Sequence, residues 1–133
     1  MYIVYMDNSS LFTIWAAFAV TLFSFLLLDT LYFSIMYRYM NKSIEKLQRK
    51  PMMIRYSSAL VCYLAMTVLF VYFIVLPKRT IREAFFLGFL VYLIYETTNF
   101  AILKDWPLTL VWIDSIWGGI LFMIVAFINK IFL

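Results

Sequence analysis

Three carboxylates, Asp29, Glu96 and Asp114, are the only acidic or basic side chains set deep inside the long apolar stretches of this 133-residue chain. Their positions are related. Asp29 lies nine residues before Arg38, Glu96 nine residues before Asp105, and Asp114 nine residues after it. On helices rising 1.5 Å per residue, each acid sits roughly 13 Å below the same boundary. Glu96 and Asp114 are mirrored about Asp105, so an antiparallel hairpin there sets them level. No lysine or arginine lies at that depth, so each acid must be neutralised by a proton, held by hydrogen-bond donors or satisfied by a cation. Tyr32, Tyr92, Tyr95, Asn99 and Trp117 are the donors that helical spacing offers. Two readings stand: a proton or cation site, which is the default for an acid within a membrane, and polar glue that fixes one helix packing.

Metal and cofactor chemistry has little to draw on. Two acids and an asparagine could bind a hard divalent ion. The chain has no histidine and one cysteine, which argues against a zinc or redox metal centre. No metal and no cofactor is expected. Cys62 is flanked by apolar residues and has no cation to stabilise a thiolate, so it reads as inert. A nucleophile–base pair, a phosphate loop and a cofactor fingerprint are all missing, and an enzyme is not the expectation.

The elements that carry these acids are set by composition. The chain is 66% hydrophobic, 21% aromatic and only 14% charged, with a mean hydropathy of +0.95. A soluble domain is nearer half apolar and a quarter charged. Disorder and nucleic-acid binding are excluded on the same figures. Four apolar runs, about 11–36, 56–76, 84–103 and 108–129, each reach the ~20 residues a spanning helix needs. They lack the two-residue alternation of a membrane barrel. The fold class is therefore all-α: an integral membrane four-helix bundle, antiparallel, with short loops, occupying 1–133 as one domain. Thr80 and Glu83 form a capping box for the third helix. Asp105 caps the fourth, with Pro107 in its first turn. Gly118 and Gly119 allow close backbone approach.

Charge sets the expected orientation. Loop 38–55 carries Arg38, Lys42, Lys46, Arg49, Lys50 and Arg55, and Lys104 lies on the same side. Lys78, Arg79, Arg82 and Lys130 lie on the other. The excess places loop 38–55 in the cytoplasm and both termini outside. Met40, Ile44 and Leu47 recur at helical spacing among the basic residues. That pattern reads either as a short helix on the headgroups, touching lipid through Lys42, Lys46, Arg49 and Lys50, or as an ordinary positive connector. Tyr2, Tyr5 and Trp106 read as interfacial anchors.

The stretch Gly88-Phe89, Tyr92, Tyr95-Glu96-Thr97-Thr98-Asn99, Trp106-Pro107, Asp114 and Trp117-Gly118 resembles the predicted membrane proteins of domain-of-unknown-function family 2177. Asp29, Tyr32-Phe33, Tyr37 and Pro51 fit the same pattern. Glu96 stands where that family usually has aspartate, and Tyr32 where tryptophan is common. The resemblance implies a four-helix membrane protein without an assigned activity, found in bacteria and in large DNA viruses.

Two functions follow as expectations. The favoured one is a structural or interaction component of a membrane, cellular or the internal membrane of a virion. Its partners would be the lipid bilayer and other protein subunits, either further copies or a capsid protein. The alternative is a small transporter, channel or cation-binding bundle that uses the acids. It requires a polar cavity, whereas the structural role requires a filled core. About 90 membrane residues hardly enclose a gated pathway, so transport would need an oligomer. The topology is tested by cysteines introduced at Ser9 and Ser43, which should label from opposite sides of the membrane; labelling of both from one side breaks the four-span scheme.

Overall fold

The computed structural model describes residues 8–48 and 55–133. Four helices account for nearly all of them: α1 Asn8–Gln48, α2 Tyr56–Phe70, α3 Ile81–Ile102 and α4 Leu108–Phe132. α2 runs on through a wider π turn over Val71–Val75, closed by Leu76 N–H donating to Val71 O at 2.9 Å. All four helices are long and apolar enough to cross a membrane. No strand occurs among the described residues.

α1 departs from expectation. Instead of a span followed by a separate basic helix, one helix of 41 residues runs without a break. Its length is about 61 Å, twice the ~30 Å hydrocarbon core. The reason is local: no glycine or proline occurs between Asn8 and Gln48, so nothing breaks the helix within that range. The periodic Met40 and Ile44 are therefore part of α1, where they remain half-buried. Lys42 and Lys46 are exposed on the same extension. Arg49, Lys50, Pro51, Tyr2 and Tyr5 lie outside the described residues.

The two described connections are tight. Arg79 N–H donates to Ile74 O and Lys78 N–H to Val75 O, at 2.9 and 3.1 Å. This pair of bonds is a Schellman closure, with Lys78 in the left-handed position at φ 56°. α3 then starts on the expected capping box: the Thr80 hydroxyl accepts from Glu83 N–H, and the Glu83 carboxylate accepts from Thr80 N–H. The α3–α4 hairpin corrects one expectation. Pro107 itself is the N-cap of α4, no side chain caps that helix, and Asp105 stays exposed. Pro107 already holds extended backbone at φ −75° and ψ 132°, and its missing N–H leaves no donor to satisfy.

α4 is the central helix. Half of its most apolar window is buried, against 22%, 22% and 11% for α1, α2 and α3. It packs most extensively on α3 and also on α1, while α2 packs chiefly on α1 and meets α4 at its C-terminal end, through Phe70 and the π turn. Phe25, Phe70 and Phe122 meet at 5.2–5.6 Å between ring centroids. Around them lie Ile74, Ala84, Leu121, Val125 and Ala126. The closeness of α3 to α4 depends on two glycines. A Cβ on Gly88 would fall 2.2 Å from Gly118 O, and one on Gly118 would fall 2.4 Å from the Tyr92 ring.

These distances order the substitutions. Gly88→Ala meets a backbone carbonyl that cannot swing aside and should cost about 1–3 kcal/mol by overpacking. Gly119→Ala meets only the Phe85 ring, at 2.7 Å, and should cost less. Thermal unfolding in micelles checks the order; equal losses would remove close α3–α4 contact as the cause.

Candidate functional site

The three acids enter from three helices. Asp29 comes from α1, Glu96 from α3 and Asp114 from α4. Glu96 is 1% exposed and Asp114 8%, and such burial is tolerated only where polar partners are supplied. The partners come from every part of the bundle. Tyr63 of α2 donates its hydroxyl to Asp29 Oδ2. Trp117 Nε1 of α4 donates to Asp29 Oδ1 at 2.9 Å. Tyr32 of α1 donates to Asp114 Oδ1, and Trp106 Nε1 donates to Glu96 Oε2 at 2.8 Å. The Glu96 and Asp114 carboxyls lie within hydrogen-bonding reach of each other. Tyr32 also stacks on Trp117, with centroids 4.6 Å apart and planes 5° from parallel. The two rings thereby join the Asp29 end of the network to the Asp114 end.

All three acids line one cavity of about 290 Å³. Its walls are largely aromatic: Tyr32, Phe33, Tyr92, Tyr95 and Trp106. Met40 and Ile44, on the extension of α1, also line it. No lysine or arginine is among its lining residues. A second cavity of about 370 Å³, between α2 and α3, shares Asp29, Tyr92 and Tyr95 with the first. It exists because α2 is held to the bundle through α1 and does not pack closely along α3.

The structure distributes the remaining candidates unevenly. Tyr92 and Tyr95 wall the cavity but donate to none of the acids. Asn99, one turn beyond Glu96 and half-buried, is not among the lining residues either. Two donors come from residues read differently in the sequence. Trp106 had the appearance of an interfacial anchor, yet its indole turns back from the hairpin onto Glu96. Tyr63 carried no role. Its depth was a usable signal: it lies eight residues after Arg55, close to the nine that separate Asp29 from Arg38. Among the described residues no group of three His, Cys, Asp or Glu is placed to hold a metal ion.

Four apolar helices around a buried carboxyl network define an integral, multi-pass membrane protein. The chain belongs to the family of predicted membrane proteins DUF2177, whose model matches residues 14–131. No curated protein and no solved structure matches it.

The donor geometry separates two substitutions of Glu96. Glu96→Leu strands the Trp106 indole N–H and removes the neighbour of Asp114, and should cost about 1–3 kcal/mol. Glu96→Gln keeps an acceptor for Trp106 and offers an amide to Asp114, so it should cost well under that. Unfolding in micelles reads both; equal destabilisation would mean that volume, not hydrogen bonding, holds the site.

Proposed function

We propose that the bundle binds a small organic cation, an ammonium compound, in the cavity shared by Asp29, Glu96 and Asp114. The observation that carries this reading is the lining itself: three acids, five aromatic rings and no basic residue. Carboxyl groups supply the counter-charge, and ring faces attract a desolvated cation, most strongly for tryptophan. A cavity of about 290 Å³ is larger than a bare metal ion needs and lies at the small end of ligand sites. The adjoining cavity between α2 and α3 offers a way to Asp29 from the side of the bundle.

This reading takes the transporter, channel or binding-bundle alternative over a purely structural component, whose core would be filled. A second reading has its own support. The 41-residue α1 carries exposed Lys42 and Lys46 about 20 Å or more along the helix from Asp29, as a segment that contacts headgroups or a neighbouring subunit would. A place in a virion's internal membrane belongs to that second reading. The basic end of α1 would then face the cytoplasm.

Trp106 and Trp117 report on the acid site directly. Choline added to the protein in nanodiscs should change the tryptophan emission saturably, while its neutral isostere 3,3-dimethyl-1-butanol should not. Asp114→Asn should weaken choline binding about tenfold or more, the loss of one charged partner of a desolvated cation. Equal responses to choline and the neutral isostere, or no response to either, would overturn the proposal.

A further inference from the structure

At the end of the bundle remote from the acids, one buried polar atom has no partner. Asn129 of α4 is 5% exposed. Its amide Nδ2 donates to Thr21 Oγ1 of α1 and to Val125 O, each at 3.0 Å. Its Oδ1 accepts from nothing. Exchanging the amide atoms would set an oxygen against the Val125 carbonyl, so the orientation is fixed and the open atom is an acceptor. Buried acceptors are rarely left open in folded proteins.

Asn129 stands at the wall of a cavity of about 390 Å³. Lys78, Arg79 and Lys130 line the same cavity, as do the apolar Ile74 and Ala126. Arg79 shares its charge with the exposed Glu83, 3.2 Å away, and Lys78 and Lys130 have no ion pair among the described residues. Lys78 occupies the left-handed position of the α2 closure, where glycine is the usual residue because it carries no Cβ. A lysine there keeps a cation at the mouth of the cavity at a conformational cost.

We propose that this cavity binds the headgroup of an anionic phospholipid that carries hydroxyl groups. The three cations take the phosphate, a headgroup hydroxyl donates to Asn129 Oδ1, and the apolar wall receives the start of the acyl chains. The donor is a hydroxyl because an ammonium headgroup would bring positive charge against three cations. The site lies where the helices end, at headgroup depth. It is separate from the acid cavity, about 18 Å along α4 from Trp117, and does not depend on any activity there.

The test uses the full chain in micelles and reads its thermal stability with added lipid, because a ligand of the native state raises the midpoint. Phosphatidylglycerol should raise it by several degrees. Phosphatidylcholine, phosphatidylmethanol (the same charge without a hydroxyl) and free glycerol phosphate should each give less than half that rise. Lys78→Gln with Lys130→Gln should abolish the phosphatidylglycerol effect without lowering the lipid-free midpoint. A phosphatidylcholine effect as large, or an effect that survives the double substitution, overturns the site. An equal effect of phosphatidylmethanol overturns the role of Asn129, read without altering a residue that bonds Thr21. An equal effect of glycerol phosphate overturns the lipid assignment in favour of a soluble anion.

Discussion

Everything in this bundle is arranged around the need to satisfy three carboxyl groups within the membrane-spanning region, with no basic side chain lining their cavity. An unpartnered polar group in such surroundings costs several kcal/mol, so the fold must deliver donors to each acid. It does so from three helices and one turn: Tyr63 from α2, Tyr32 from α1, Trp117 from α4 and Trp106 from the turn after α3. Hydrophobic burial cannot choose one arrangement of helices in lipid, because the chains outside are as apolar as the core. The donor–acceptor pairs can, since each has one workable rotation and depth for both helices.

Packing then makes that arrangement compact on one side and open on the other. Gly88 and Gly118 bring α3 and α4 into backbone contact, which sets Glu96 and Asp114 face to face. The aromatic trio Phe25, Phe70 and Phe122 fills the half of the bundle remote from the hairpin. α2, attached through α1, leaves a gap beside α3. The same asymmetry that gives a filled core at one level gives a lined cavity at the other.

The four spans, the Thr80–Glu83 cap, the hairpin and the common depth of the acids were legible because each depends on neighbours in sequence. Apolar runs of membrane length, a capping box and a fixed helical rise are local facts, and antiparallel pairing of α3 with α4 follows from a connection too short for anything else. The continuity of α1 was equally local, and was obscured because its basic stretch reads as a loop by charge although nothing in it breaks a helix.

The choice of partners was not local. Trp106 and Tyr63 reach Glu96 and Asp29 through the rotation of each helix about its own axis, which sequence spacing leaves free until neighbours interlock. By the same token Asn99, on the expected stripe, turns out to line no part of the cavity, and Tyr92 serves as packing under Gly118. Sequence alone determined a four-helix membrane protein with three acids at one level, because hydropathy and helical rise act along the chain. Only the tertiary structure decided which donors hold those acids, that the acids share a cavity, and that Asn129 faces a basic one at the other end, because these depend on where side chains from different helices meet.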